Sequence, residues 1–458
     1  MSKNDDIFPC DRIPADPAAA RLLGLYPQRQ PGRWMQRVRV PGGVVTAHEW
    51  RVLAEVAREF TPEVPLHLTT RQDVEFHDLT AESVPPLERR LAEAALTGLG
   101  ACGDTVRNVT VCPCSGTASG RPDLGPLARE ILRLLQETEG IHSLPRKFKI
   151  SLSACREACG RPWVNDLGCV AERRHGAWGF QVVVAGSLGP RPGTAMRMFD
   201  WLDASDVLAC VLAAVRVFAG CGDREHRGRA RLRHVRERFG DEAFAAMFRS
   251  AFAKAKDERS WPAVHLEEAR EGFPAALPLT FANGEVTPDA AEALAVLAGR
   301  EDLRVRIAHD HRVIVFGRDG ETARKAVAEL RGLAEAAEPR PLVVACPGTR
   351  WCSRALTDTN RLADRLRVEL ADRLPADAAV CISGCPNGCA HSTVADIGLV
   401  GGLAARGGRK TEVFSLFAGG GMGRDARLAQ PVARNLSADE VLSEIRRLAE
   451  KGIPTGGG

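Results

Sequence analysis

The chain has 458 residues and an almost balanced charge, with 62 basic and 58 acidic side chains. A chain of this length exceeds one ordinary hydrophobic core, so we expect roughly two to four domains. The balanced charge excludes bulk affinity for polyanions, and an aromatic content of 5% argues against a surface that stacks bases. Nucleic acid is therefore not an expected partner.

The cysteine content and the apolar stretches indicate the compartment. Fourteen cysteines in so long a chain do not suggest a small secreted disulfide scaffold. The first residues, MSKNDDIFPCDR, are polar and lack the apolar centre of a signal sequence. The longest apolar stretch, residues 207–220, is too short to span a bilayer and contains Arg216. We therefore expect a cytoplasmic protein without a membrane partner.

The first hundred residues predict a small domain of strands and helices. Residues 1–30 are rich in proline and alanine and are predicted to form an extended arm. From Trp34 the sequence predicts a strand, a Pro-Gly-Gly turn and a helix from Thr46 to about residue 60. Two strands, LHLTT and RQDVEFH, and a further helix follow. This order is typical of a ferredoxin-like half-domain.

Much of the chain is then repeated. LTFANGEVT and VRIAHDHRVIV, which follow residue 277, are similar to VRVPGGVVT and LHLTTRQDVEF of the first half-domain. The segment SLSACREACG aligns with CISGCPNGCA at a constant offset (385 − 155 = 230; 389 − 159 = 230). A duplicated chain forms a pseudo-two-fold pair, which places a binding site between the copies.

The predicted fold is therefore an internally duplicated α/β (α+β) fold. It has two ferredoxin-like half-domains and two larger α/β domains related by pseudo-two-fold symmetry. A charged stretch at residues 222–272 interrupts the repeat, and we interpret it as helices that close the first half. The predicted boundaries are an arm at 1–30, half-domains at 31–100 and 271–338, and α/β domains at 101–270 and 339–452.

Two close cysteine pairs stand out in the second copy. Cys346 and Cys352 lie in VVACPGTRWCS, and Cys385 and Cys389 flank a tight Pro-Asn-Gly sequence. Four thiolates in two short loops are typical of an iron–sulfur cluster, because each iron takes one soft ligand. The alternatives are two structural zinc pairs or unrelated buried thiols. Spacings of five and three residues count against zinc.

These motifs, CPGTRWC and SGCPNGCAHSTVADIGLVGG, resemble those of the sirohaem- and iron–sulfur-containing sulfite and nitrite reductases. The resemblance extends over nearly all of residues 34–452. It implies an oxidoreductase that reduces sulfite or nitrite by six electrons, which a ferredoxin or another electron-donor protein supplies. It also implies a 4Fe-4S cluster on Cys346, Cys352, Cys385 and Cys389, with Cys389 as the bridge to the iron of sirohaem.

Basic residues in four short motifs match those that face substrate or haem in this family. Arginine forks fit oxyanions and stay charged, and lysine can both bind an anion and deliver a proton. The resemblance implies as substrate-facing residues Arg39 (RVRVPGG), Arg107 (VRNVT), and Lys147 and Lys149 (LPRKFK). It implies as cofactor-binding residues Arg71 (TTRQ), Arg146 and Asn387, in addition to Cys389.

The second lysine of RKFK bears on the choice of oxyanion. Relatives that act on sulfite carry two lysines in this motif, whereas nitrite-specific relatives tend to read RKWN. Sulfite carries up to two negative charges near neutral pH and nitrite one, so a second ammonium at Lys149 favours sulfite. Against this, VACPGTRWCSRALTDT resembles the nitrite-reductase version of the first cysteine motif. The expectation is a preference for sulfite.

Two other functions compete with this hypothesis. A precorrin-3B synthase shares the fold and the cluster without sirohaem, and the CAH sequence at Cys389 is similar to it. A non-catalytic iron–sulfur electron carrier or tetrapyrrole-binding protein would not need the complete set of anion-binding residues. The RKFK and TTRQ motifs favour the reductase.

The first copy contains its own cysteines. Cys112, Cys155 and Cys159 align with Cys346, Cys385 and Cys389, whereas Ala118 falls near the position of Cys352. Either Cys114 completes a second cluster site, or the thiols are an idle relic of duplication. The relic is the expected outcome, because the first half in this family carries no cluster.

Overall fold

The computed structural model describes residues 12–268, 272–336 and 341–452. The α-helices of these residues, in chain order, are α1 (Pro17–Leu22), α2 (Ala47–Phe60), α3 (Val84–Glu93), α4 (Gly125–Gln136), α5 (Val207–Cys221), α6 (Leu232–Phe239), α7 (Asp241–Asp257), α8 (Pro288–Ala298), α9 (Gly320–Glu329), α10 (Gly348–Trp351), α11 (Thr359–Glu369) and α12 (Ala438–Lys451).

The strands are β1 (Leu25–Pro27), β2 (Trp34–Val38), β3 (Leu66–Leu68), β4 (Val74–Leu79), β5 (Val106–Val111), β6 (Phe148–Ser153), β7 (Leu167–Arg174), β8 (Ala177–Val184), β9 (Met196–Asp203), β10 (Ala275–Thr280), β11 (Glu285–Val286), β12 (Leu303–Ile307), β13 (Val313–Gly317), β14 (Glu335–Ala336), β15 (Leu342–Ala345), β16 (Ala379–Ser383), β17 (Ile397–Arg406), β18 (Arg409–Ala418) and β19 (Gln430–Leu436).

The first half-domain is built around α2, which begins where the sequence predicts. Thr46 accepts a hydrogen bond from the backbone of Glu49, and the Glu49 side chain accepts one from the backbone of Thr46. This reciprocal capping box satisfies amide groups at the helix start that have no intrahelical partner. The buried face of α2, including Trp50 and Leu53, packs over the sheet of β2, β3 and β4.

The prediction of an extended arm at residues 1–30 is wrong for its described part. Asp16 caps α1 by accepting hydrogen bonds from Ala18 N and Ala19 N, and Pro17 occupies the first turn, where a missing amide hydrogen does no harm. The next residues form β1, which pairs with β2, and Leu25 is fully buried. Residues 1–11 lie outside the described residues.

The two half-domains share one hydrophobic core. Helix α2 packs on α8, with Leu53 and Leu294 both fully buried. Strand β11 of the second half-domain pairs with β3 of the first, through Glu285 opposite His67 and Val286 opposite Leu66. Neither half-domain therefore closes its hydrophobic surface alone.

The two α/β domains have the same topology. One five-stranded sheet has the order β5-β6-β7-β8-β9, and the other has the order β15-β16-β17-β18-β19. In each sheet the first three strands are parallel and the last two run antiparallel to their neighbours. Equivalent carboxylates perform equivalent tasks, since Asp166 accepts from Lys149 N at 2.8 Å and Asp396 accepts from Ala379 N at 2.9 Å. The duplication predicted from the sequence is thus present in the fold.

The charged stretch after residue 222 forms α6 and α7, which cover the first α/β domain. Phe244 and Phe248 of α7 are fully buried against the core of that domain. Helix α7 packs on α5. The segment Ala204–Cys221, which includes α5 and the turn before it, is long and apolar enough to cross a membrane by length and composition alone. Because Val211 and Phe218 of α5 are fully buried in the protein, α5 is a core helix. Residues 269–271 lie outside the described part.

Candidate active site

The four cysteines of the second α/β domain lie at the carboxyl ends of two neighbouring strands. Cys346 follows β15 and Cys352 follows α10, whereas Cys385 and Cys389 lie in the loop after β16. Because β15 and β16 are parallel neighbours, their carboxyl ends meet at one edge of the sheet. The loops are joined directly, since Gly384 N donates a hydrogen bond to Cys346 Sγ at 3.1 Å.

The environment of these thiols suits a shared metal cluster. Burial, with a smaller contribution from the Cys389 thiol, raises the pKa of Cys346 to about 12. Burial and Cys389 also raise the pKa of Cys352 and Cys385, so Cys389 lies within electrostatic reach of the other three thiols. The Asn387 amide opposes the rise in the pKa of Cys385. Amide donors of this kind stabilise thiolate ligands and tune the clusters that they hold.

Lys147 and Lys149, at the start of β6, lie within electrostatic range of Cys389. Burial, together with Arg107, lowers the pKa of Lys147 to about 7. Burial, followed by Arg71 and Lys147, lowers the pKa of Lys149 well below its ordinary value. The Cys389 thiol acts in the opposite direction on both lysines. The structure thus brings the predicted lysine pair together with the predicted bridging cysteine.

Arg71 reaches from the turn between β3 and β4 into the first α/β domain. Its Nη1 donates to Asn165 Oδ1 at 2.9 Å, and its Nη2 donates to the Asn108 carbonyl at 2.5 Å. Its Nε is buried without a hydrogen-bond partner in the protein. Burial lowers the pKa of Arg71 to about 10, although the Asp73 carboxylate opposes this shift.

Arg39 and Arg107 form a second buried pair of cations. Arg39 Nη2 donates to the Val106 carbonyl at 3.3 Å, and Arg39 Nε has no hydrogen-bond partner in the protein. Burial lowers the pKa of Arg39 to about 10, and Arg107 contributes to this shift. Arg107 donates to the Gly103 carbonyl through Nε and Nη2 and to the Ala101 carbonyl through Nη1, at 2.9–3.0 Å. Loop carbonyls thus fix the guanidinium that the sequence predicts to face substrate.

Arg146 stands at the edge of this group. Its Nη1 lies 3.1 Å from Asp104 Oδ1, and Arg227 binds the same carboxylate at 2.7 Å. After burial and other arginines, Arg146 also contributes to lowering the pKa of Arg107 and Lys147. The side chain is therefore close to the buried cations but is engaged by a carboxylate.

Comparison with known proteins matches most of the chain to one family. The model of the nitrite and sulphite reductase 4Fe-4S domain matches residues 102–256 and 341–451. The model of the nitrite/sulfite reductase ferredoxin-like half domain matches residues 26–94. The chain belongs to the nitrite and sulfite reductase family. Its predicted family and its predicted duplicated α/β fold are thereby confirmed.

Individual relatives cover almost the whole chain. The assimilatory ferredoxin-dependent nitrite reductase of Haloferax mediterranei is 30% identical, over 94% of this chain and 81% of the relative. Sulfite reductase [ferredoxin] 2 of Mycolicibacterium paratuberculosis is 28% identical, over 94% of this chain and 85% of the relative. The structure of the Mycobacterium tuberculosis NirA protein superposes with a TM-score of 0.81 at 26% identity, covering 95% of this chain and 86% of that one.

This reductase-family chain is an oxidoreductase whose cofactors are a 4Fe-4S cluster and sirohaem. Its residues fit both groups. Four thiols with amide donors suit the cluster. The buried arginine and lysine side chains outnumber the carboxylates beside them. In addition, Arg39 and Arg71 each have a buried Nε without a hydrogen-bond partner in the protein. Such an excess of buried positive charge suits a macrocycle that carries carboxylates.

The sequence interpretation missed a buried cation that acts on Lys149 in this reductase-family chain, Arg231. It lies at the start of α6, in the charged stretch interpreted as helices that close the first half. Arg231 Nε and Nη2 donate to Asp166 at 3.1 and 2.6 Å, and both side chains are buried. Asp166 also accepts from the backbone of Lys149. The sequence could have singled out Asp166, which lies in VNDLG directly before a strand. It could not have distinguished the partner arginine from the many others of the stretch.

Two further residues meet where the repeats of this reductase fold face each other. Arg161 and His391 occupy equivalent positions (391 − 161 = 230), and both have a left-handed backbone, with φ of 60° and 63°. Arg161 Nη1 forms a hydrogen bond with His391 Nδ1, and both residues are buried. His391 therefore packs between the domains.

Proposed function

We propose that this chain reduces sulfite or nitrite by six electrons, taking them one at a time from ferredoxin in the cytoplasm. The observation that carries the proposal is the electrostatic interaction of the buried Lys147 and Lys149 with Cys389. Side chains that can bind an oxyanion thus lie within electrostatic range of the thiol proposed to link the cluster to the haem. Relatives named as ferredoxin-dependent nitrite reductases and as a ferredoxin sulfite reductase support this activity.

In this proposal the cluster would be held by Cys346, Cys352, Cys385 and Cys389, and Cys389 would also link it to sirohaem. Asn387 supports the Cys385 ligand, because its amide opposes the rise in the pKa of Cys385. Arg71 would bind the macrocycle through its guanidinium, of which Nη1 is already bonded to Asn165 and Nε has no partner in the protein. Arg146, which is paired with Asp104, would add positive charge at the edge of the site. When bound, the cluster and the sirohaem supply electrons to the central atom of the substrate.

The chain's own residues bind the anion and provide protons. Arg39 and Arg107 stay charged at neutral pH and give the site a fixed positive potential. The Arg107 guanidinium is held in place by its hydrogen bonds to loop carbonyls. Lys147, whose pKa is lowered to about 7, can lose a proton from Nζ near neutral pH and regain it from solvent. Oxygen atoms that leave as water need such a donor.

Lys149 is proposed to set the preference for sulfite over nitrite. Burial, Arg71 and Lys147 disfavour the Lys149 ammonium before an anion binds. An anion with two negative charges favours the ammonium more than an anion with one, because charges interact strongly at a low-dielectric site. A dianion can neutralise two neighbouring cations, whereas a monoanion leaves one of them uncompensated. Replacement of Lys149 by asparagine should therefore weaken sulfite binding more than nitrite binding.

The test compares the parent, Lys149→Asn and a matched control, Lys254→Asn, in which an exposed lysine of α7 is changed. Rates with reduced ferredoxin are measured for both anions by the sulfide and the ammonia that they produce. We expect a higher kcat/KM for sulfite in the parent, and in Lys149→Asn a loss about tenfold larger for sulfite than for nitrite. Equal losses, or a parent that prefers nitrite, would contradict the assignment.

A visible spectrum of the purified protein tests the reaction class separately. Sirohaem gives a red-region band that a bare cluster lacks. A protein that holds the cluster without this band, and reduces neither anion, would instead support the corrinoid enzyme that shares this fold.

A further inference from the structure

Four thiols also converge in the first α/β domain. Cys112 and Cys114 follow β5, and Cys155 and Cys159 follow β6, its parallel neighbour. Cys114 Sγ lies 3.6 Å from Cys112 Sγ and 3.6 Å from Cys159 Sγ. The ligand atoms of these three residues all lie within 4.8 Å of one another. Cys155 begins the loop that ends with Cys159 and is the nearest further thiol in sequence, although its sulfur lies outside this group of three.

The separations fit one metal ion. A tetrahedral zinc ion with Zn–S bonds of about 2.3 Å places its ligand sulfurs about 3.8 Å apart. A disulfide needs a bond of about 2.05 Å, and all four cysteines are free. In a 4Fe-4S cluster each thiolate binds a different iron, so the sulfurs lie farther apart. Within the described residues, the quartet of Cys346 and its partners does not form such a compact group.

The sequence explains why the first quartet is more compact. The counterpart of Cys352 is Ala118 (352 − 346 = 118 − 112), so the distant member of the first pair is missing. Cys114 supplies a thiol only two positions after Cys112, where the second copy has Gly348. A spacing of five intervening residues has thus become a spacing of one. A sulfur so close to its neighbour suits a shared ion and not separate irons.

The loops that carry these thiols have the same local structure as the cysteine loops of the second α/β domain. Ala154 N donates to Cys112 Sγ at 3.0 Å, as Gly384 N does to Cys346 Sγ. Ala158 has φ of 52° and matches Gly388, which has φ of 67° (388 − 158 = 230). Alanine in the left-handed region is strained, so the surrounding structure must hold this turn between Cys155 and Cys159.

We propose that Cys112, Cys114, Cys155 and Cys159 bind one structural zinc ion. The zinc would join the loop after β5 to the loop after β6. This site lies close to the other α/β domain, because Gly423 of that domain approaches the Glu157 carbonyl so closely that an added Cβ atom would lie 2.9 Å from it. Zinc has no redox role here and suits a closed site with four sulfur ligands. This site is independent of the proposed reductase activity.

The full-length protein, purified with its cofactors, provides the test. Elemental analysis should give about one zinc per chain in addition to the iron of the cofactors, and zinc-edge X-ray absorption should show four sulfur neighbours at about 2.3 Å. Cys114→Ser and Cys159→Ser should each lose most of the zinc and keep the iron. Cys221→Ser, at a partly buried thiol outside the quartet, should keep both metals.

Several results would overturn the proposal. These are a parent without zinc, extra iron with labile sulfide in place of zinc, nitrogen or oxygen neighbours in the absorption spectrum, and zinc retained in both serine variants. Retained iron shows that a variant is folded. If a variant does not fold, the absorption spectrum of the parent decides the question alone.

Discussion

The charge of the buried Lys147 side chain depends on pH in the neutral range. Burial lowers its pKa to about 7, far below the ordinary value of 10.5. The ammonium is therefore present below about pH 7 and is lost as the pH rises above that value. In the proposed function the charged form binds the anion, so the affinity for substrate should fall on the alkaline side.

The first prediction concerns this pH dependence. With nitrite, which does not titrate near neutral pH, kcat/KM should be level below about pH 7 and fall about tenfold per pH unit above it. Lys147→Arg keeps a positive charge at all these pH values, so the fall should move to more alkaline pH. Lys254→Arg serves as the control, with the profile of the parent. An unchanged profile in Lys147→Arg would assign the titration to another group.

The second prediction concerns Cys389. A serine hydroxyl is a poor ligand for iron, so Cys389→Ser should lose iron, labile sulfide and most of the turnover with either anion, while the chain stays folded. Circular dichroism checks the fold, and chemical analysis measures iron and sulfide. Cys221→Ser provides the comparison. Full activity in Cys389→Ser would show that Cys389 is not the bridge.

At the scale of elements, one buried ion pair fixes α6 against the sheet. Arg231, at the start of α6, binds Asp166 between the turn after residue 164 and β7, and Asp166 in turn receives the amide of Lys149 in β6. The helix, two strands and the lysine of the pocket therefore depend on a single carboxylate. We therefore expect the pair to act on the proposed site by positioning Lys149.

The third prediction tests this pair by stability. Arg231→Met leaves the Asp166 carboxylate buried without its partner and should cost about 3–5 kcal/mol of the free energy of unfolding. The midpoint of urea denaturation measures the loss. The double variant with Asp166→Asn removes the stranded charge and keeps an acceptor for Lys149 N, so it should regain much of the stability. A single variant as stable as the parent would contradict the role.

Some elements could be predicted locally, and others depend on distant partners. Thr46 and Glu49 signal the start of α2 within four residues, and the offset of 230 reveals the repeated domains. Strand β11 could not be placed from sequence, because its partner β3 lies more than two hundred residues away. Arg231 could not be recognised for the same reason, since only its distant partner Asp166 distinguishes it from exposed arginines of the same stretch, such as Arg227 and Arg229.

At the scale of the whole molecule, Gln72 joins three parts of the chain. Its side chain donates to the carbonyls of Val111 at 2.8 Å and Ile307 at 2.7 Å, and it accepts from Val111 N at 2.9 Å. Val111 ends β5 of the first α/β domain, and Ile307 ends β12 of the second half-domain. Gln72 is fully buried in the first half-domain and so connects all three.

The fourth prediction is that Gln72→Ala loosens this junction. It leaves buried backbone groups of Val111 and Ile307 without partners, which should cost about 3 kcal/mol and lower the thermal midpoint by several degrees. Gln430→Ala, at an exposed glutamine, should leave the midpoint unchanged. Equal midpoints for the two variants would show that the junction does not depend on this side chain.

The contact between Arg161 and His391 has a consequence for how such a molecule could arise. In a homodimer of a single repeat, this position would lie on the symmetry axis and face its own twin. Two arginines there would repel each other in a buried place, so the residue would be restricted to one that tolerates itself. Once both copies belong to one gene, each can mutate without the other. Two different residues, one donating and one accepting a hydrogen bond, can then meet at a position where symmetry had required the same residue in both copies.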